Sequence, residues 1–183
     1  MKIKTGQIIP AAAMLALCVG MPTRAAPSTF LLQPPSSEVG YRVYAVGIFP
    51  MDAAFGKFQG TVTLDPATPG NCSVDLTVDV NSLTMADPDR RKQALEPDMM
   101  DVDHYPTLTF HGHCQSADSI IGDLTMHGVT RQVEMKVSRE EGRLITTGKI
   151  RRSDFGVNGL PNLLGETIRI RFSTALPQEG KPG

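Results

Sequence analysis

The sequence predicts an all-β domain: about eight antiparallel strands forming an up-and-down barrel or a sandwich, with one short helix between the third and fourth strands. Three observations predict it. Eight short runs alternate apolar and other residues with a period of two, at 39–43, 58–64, 74–80, 108–112, 120–126, 133–137, 144–150 and 168–172. Turn-forming residues separate the runs. Helix signals gather in one stretch only, 87–95.

The first run sets Val39, Tyr41 and Val43 on one face, so the Tyr41 phenol points inward and needs either a ligand or a barrel partner. The second places Phe58 and Val62 together. Asp65, Pro66, Pro69, Gly70 and Asn71 then supply a turn. The third run is the clearest, with Val74, Leu76, Val78 and Val80 inside and Asp75, Thr77 and Asp79 outside. In the helical stretch Asp87 caps, Pro88 suits the first turn, and Pro97 ends it. Leu108, Phe110, Leu124 and Met126 continue the inward set. His127-Gly128 and Glu140-Glu141-Gly142 read as tight hairpins on either side of the sixth run, which carries Val133, Met135 and Val137. Ile168, Ile170 and Phe172 close the pattern. Eight strands enclose an interior that side chains just fill or that holds one small ligand. Periodicity does not choose between these.

Of the three cysteines, Cys18 lies in a leader-like segment, leaving Cys72 and Cys114. If the third and fourth runs pair with Val80 near Pro106, Cys72 falls opposite Cys114 on the inward face. A disulfide and two buried thiols are both compatible with that register.

Residues 1–25 combine Lys2 and Lys4, an apolar run from Ile8 to Gly20, and small residues at Thr23 and Ala25. The run is too short to span a bilayer, and the pattern is that of a cleaved secretory signal. An uncleaved anchor and a lipid-modified Cys18 are the alternatives. Cleavage removes three cations and no acid, taking the formal net charge from -1 to -4. No second long apolar run follows, so the mature chain carries no membrane span and belongs in the periplasm or outside the cell. Residues 177–183 read as a flexible tail. The charge balance and the ten aromatics among 183 residues argue against nucleic acid as a partner.

Four segments carry a resemblance to a known family. These are Phe55-Gly56-Lys57-Phe58-Gln59-Gly60, Tyr105-Pro106-Thr107-Leu108-Thr109-Phe110, Gly122-Asp123-Leu124-Thr125-Met126-His127-Gly128-Val129-Thr130, and Arg152-Ser153-Asp154-Phe155-Gly156. In this order they resemble the motifs of the YceI-like family over residues 36–176. The resemblance implies a lipocalin-like barrel around an apolar tunnel, and a polyisoprenoid or fatty-acid-derived lipid as partner. It implies no catalytic activity and no cofactor. The chain departs from many relatives in having Ala45 in place of a His, Ala53 in place of a Gly, no His from Met85 to Asp103, and Met99 and Met100 in place of two aromatics.

The expected lining and mouth residues are Tyr41, Val43, Phe58, Val62, Leu76, Val78, Met99, Met100, Leu108, Phe110, Leu124, Met126, Met135, Ile170 and Phe172. Each is equally a core position. His111 and His113 share an outward face but lack a third ligand for a metal. No Ser or Cys nucleophile motif accompanies His127. Arg151-Arg152 reads as a phosphate-attracting pair or a solvated strand end. An exported lipid carrier is therefore expected. An enzyme acting on a lipid-like substrate and a stress-related interaction protein with a solid barrel are the alternatives, and a homodimer stays open.

Overall fold

In the computed structural model, which describes residues 26–65, 68 and 71–175, the strands all join one sheet. The strands are β1 (Ser28–Leu32), β2 (Ser37–Ala45), β3 (Phe49–Phe55), β4 (Phe58–Leu64), β5 (Cys72–Asp79) and β6 (Leu83–Met85). Helix α1 (Pro88–Ala94) follows, then β7 (Thr107–Ser116), β8 (Ser119–Met126), β9 (Val129–Glu140), β10 (Arg143–Arg151) and β11 (Thr167–Ala175). The expected leader at 1–25, Cys18 and the tail at 177–183 lie outside the described residues.

Eleven strands replace the expected eight. All eight predicted runs are present, and β1, β3 and β6 are additional. Pro50 argues against reading 49–55 as a strand. It is tolerated because β6 pairs with β3 only as far as Ala53, leaving the Pro50 end as a sheet edge. The three-residue β6 is too short to show a period. It lies between β5 and α1, so the helix sits between the sixth and seventh strands, not the third and fourth.

The order β1-β4-β5-β7-β8-β9-β10-β11-β2-β3-β6 is a meander whose late and early strands meet where β11 pairs with β2. Every pairing is antiparallel. The expected closed barrel is corrected to a curled, incompletely closed one: among the described residues β1 and β6 do not pair with each other. The seam falls between the edge strands β1 and β6, which flank β4 and β3, the two strands joined through Gly56-Lys57. The 3-10 turn Val80–Ser82 stitches its base, with Gly56 N donating to Ser82 O and Asp79 N to Lys57 O, both at 3.0 Å.

Asp87 caps α1 through its carboxylate, which accepts from the Asp89 and Arg90 amides. His127-Gly128 and Glu141-Gly142 take left-handed φ values, as tight hairpins between twisted strands require. Ser73 pairs with His113 and Val74 with Gly112, which sets Cys72 opposite Cys114, and the two are bonded. The bond closes a loop of 42 residues, a constraint of about 4 kcal/mol on the unfolded chain.

Candidate functional site

The inward faces of the strands enclose a cavity of about 640 Å³. Thirteen of the fifteen expected lining residues border it: Tyr41, Val43, Val62, Leu76, Val78, Met100, Leu108, Phe110, Leu124, Met126, Met135, Ile170 and Phe172. Phe58 and Met99 do not. Phe58 is buried beside the cavity, its ring edge-on to Phe172 at 6.5 Å between centroids. Met99 is buried against the backbone of Gly159, where an added Cβ would stand 2.6 Å from its sulfur.

The cavity runs the length of the strands. One end is bordered by Leu64, Cys72, Cys114 and Val137, the other by Met51, Met85, Arg90, Arg152 and Leu164. Midway, Phe110 lies over the cross-strand pair Gly112 and Gly122. A Cβ at either glycine would come within 2.8 Å of the Phe110 ring, so the glycines make room for it.

Tyr41 is the conspicuous polar group in this lining. Its hydroxyl has no hydrogen-bond partner among the described residues. Burial pushes the phenol up to about 12 from its ordinary 10, so at neutral pH it is an uncharged donor facing apolar walls.

Arg152 is neither a solvated strand end nor an open phosphate site. It is 3% exposed. One terminal nitrogen donates to the Val157 carbonyl at 3.1 Å and the Gly159 carbonyl at 2.5 Å, and the other donates to the Leu164 carbonyl at 3.3 Å. Its Nε lacks a hydrogen-bond partner and stands 3.9 Å from the Glu166 carboxylate. Glu166 also accepts from the Ser153 hydroxyl and amide, which holds its carboxyl below the usual range. One guanidinium thus fastens the loop 157–164 beside its end of the cavity.

The motif residues gather at that same end. His127 Nδ1 donates to the Phe155 carbonyl at 3.2 Å and its ring lies 4.8 Å from Tyr105. Phe155 is 1% exposed and packs in the same cluster as Phe55, Phe58, Val80 and Leu83. His127 is therefore a packing and hairpin residue. His111 sits outside, 2.8 Å from Asp75. Among the described residues no three His, Cys, Asp or Glu side chains converge as metal ligands, and no helix is long and apolar enough to cross a membrane.

Sequence reasoning missed Met51, Met85 and Leu164. Met51, Ala53 and Phe55 do share a face of β3, but Pro50 and two alanines hide the period. Leu164 lies in a loop, where no period exists to read.

A curled antiparallel sheet around an elongated apolar cavity defines a binding protein of the barrel type. The chain belongs to the YceI-like family, whose domain matches residues 30–176. It is 26% identical over 150 residues to a UPF0312 protein of Pseudomonas putida strain GB-1, covering 74% of this chain and 78% of that one. Protein YceI of Shigella flexneri is 30% identical over 114 residues, 60% of this chain and 57% of the relative. Among solved structures, BcnA of Burkholderia cenocepacia superposes with a TM-score of 0.64 at 25% identity, over 77% of this chain and 96% of that one. A polyisoprenoid binding domain from Saccharophagus degradans, implicated in plant cell wall breakdown, superposes at 0.52 with 16% identity, over 76% and 94%. That second likeness concerns the fold.

Proposed function

We propose that the protein is an exported carrier that holds a polyisoprenoid, or a similar long-chain amphipathic lipid, inside the barrel. The carrying observation is the size and lining of the cavity. A cavity of about 640 Å³ is far larger than the voids a close-packed interior leaves, so its apolar lining calls for an occupant. Apolar walls offer water few partners. An apolar chain satisfies both conditions, contributing roughly 0.8 kcal/mol per buried methylene before ordering costs. The volume also lies in the range of known ligand pockets, about 300–1,000 Å³, and disfavours a solid barrel. Tyr41 is the group that would hydrogen-bond an oxygen of the ligand. The signal-like pattern of residues 1–25 supports export.

The test is mass spectrometry of organic extracts from protein purified out of its native compartment, beside the Leu76→Trp variant, which narrows the cavity midway, next to Phe110. The wild type is expected to yield a stoichiometric lipid and the variant to lose at least tenfold. No apolar species in repeated extracts, or equal yield from a folded variant, overturns the reading.

A further inference from the structure

Six large apolar side chains stand well exposed among the described residues, and four of them meet at one place. Val46, Ile48 and Phe49 form the β2–β3 hairpin tip, and Leu163 belongs to the loop before β11; they are 61%, 70%, 59% and 56% exposed. The two segments are lashed together through their backbones. Val46 N donates to Leu163 O at 2.7 Å, Ala45 bridges Leu164, and Gly165 N donates to Tyr44 O at 2.8 Å. Residues 45–51 and 160–165 contain no charged side chain, in a chain that is 20% charged.

The backbone makes this exposure costly. Among the described residues, five non-glycine residues have left-handed φ values: Val46, Asp101, His127, Glu141 and Leu160. The two apolar ones both lie in this lip. Val46 and Gly47 are the central residues of the turn that Ile48 N closes onto Ala45 O at 3.2 Å within the three-residue loop 46–48, and both have positive φ, where Asn or Asp is ordinarily found at the first position and a β-branched residue is strained. Folding alone would favour Asn-Gly. The chain instead keeps an apolar side chain in water.

The lip also continues the cavity wall. Met51 and Leu164, which border the cavity, adjoin Pro50 and Leu163 in sequence. Behind the tip, the Arg169 guanidinium lies 5.3 Å from the centre of the Tyr44 ring, and Arg42 pairs with Asp52. An apolar tip backed by Tyr and Arg is the order in which side chains cross from acyl chains to headgroups.

We propose that this lip docks into the surface of a lipid bilayer bearing anionic headgroups, with Val46, Ile48, Phe49 and Leu163 among the acyl chains and Arg169 at the phosphates. Docking there sets the cavity mouth against the membrane from which a lipid would enter, and this step rests on the carrier reading above.

The test uses the purified chain, vesicles of equal parts phosphatidylcholine and phosphatidylglycerol, and the variant Val46→Asn/Phe49→Ser. Vesicle co-sedimentation is expected to weaken by about tenfold or more in the variant. Uptake of a fluorescent polyprenol from the vesicles should slow by a similar factor, while binding of the same polyprenol presented in detergent stays unchanged. Val46→Asn alone relieves the strained turn, so it should fold with an unchanged or higher melting temperature and still weaken vesicle binding. Equal vesicle binding by wild type and variant, or none by either, overturns the proposal. So does a wild-type dimer that the variant dissociates, which would assign the lip to a second copy of the chain. Vesicle binding that depends on the lip, without polyprenol binding in detergent, overturns the carrier reading and leaves the docking surface standing.

Discussion

At the end of the barrel marked by Cys72 and Cys114, β-ladders run to hairpin turns, with one irregularity between Cys114 and Ser116, and a covalent bond joins β5 to β7. At the end marked by Arg152, a short helix, two 3-10 turns and the loop 157–164 do the same job through side-chain contacts. The first end holds its shape through local turn geometry and a crosslink. The second depends on one buried guanidinium and on the aromatic packing of Phe155, Tyr105 and His127. The family motifs crowd the second end, where local geometry alone would not specify a structure. Their role there is to build the loops around that end of the cavity more than to line it.

The largest expected effect comes from cutting the crosslink. Cys72→Ala/Cys114→Ala should lower stability by about 4 kcal/mol, read from the urea midpoint. Amide exchange in the 157–164 loop should be no faster than the global loss explains; a selective loosening there would join the two ends that the structure separates. Next, Arg152→Met should cost about 3 kcal/mol, because three carbonyls lose a charged donor at once. Here selective deprotection of the Val157 and Leu164 amides is expected, with the disulfide end unaffected. A cost under about 1 kcal/mol would show that the Gly159 amide bond to the Asp98 carbonyl holds the loop by itself.

The smallest effect concerns the phenol between the two ends. The unfolded Tyr41 loses its proton near its ordinary 10, the folded one at about 12. The stability linked to its raised value is therefore complete below pH 10 and is lost as pH rises towards 12. Ultraviolet titration should show a late-ionising tyrosine component near pH 12, and Tyr41→Phe should remove it. A Tyr41 that titrates near 10 would mean a wetter cavity than the lining suggests.

Much of the regular end was legible in advance. The alternation in 74–80 assigns inside and outside without reference to any other strand, and pairing Val80 with Pro106 places Cys72 opposite Cys114. The Val80 amide does donate to the Pro106 carbonyl, at 2.9 Å. The helix cap at Asp87 and the His127-Gly128 hairpin were equally readable, since both rest on contacts within a few residues. Strand β3 was not, because its Pro50 is acceptable only at a sheet edge, and where the edge lies depends on how far β6 reaches. Arg152 was misread for the same kind of reason. Its three acceptors belong to a loop with no period, and only their convergence turns a surface charge into a buried clasp.

By itself the sequence determined the positions and inward faces of eight of the eleven strands, the helix and the β5–β7 register, because each follows from backbone geometry over a few residues. The tertiary structure alone decided the open seam, the fate of Arg152, the shared lip and the cavity. A cavity is the difference between the volume a curled sheet encloses and the volume its side chains fill. That difference depends on the curvature of all eleven strands together, which no local pattern encodes.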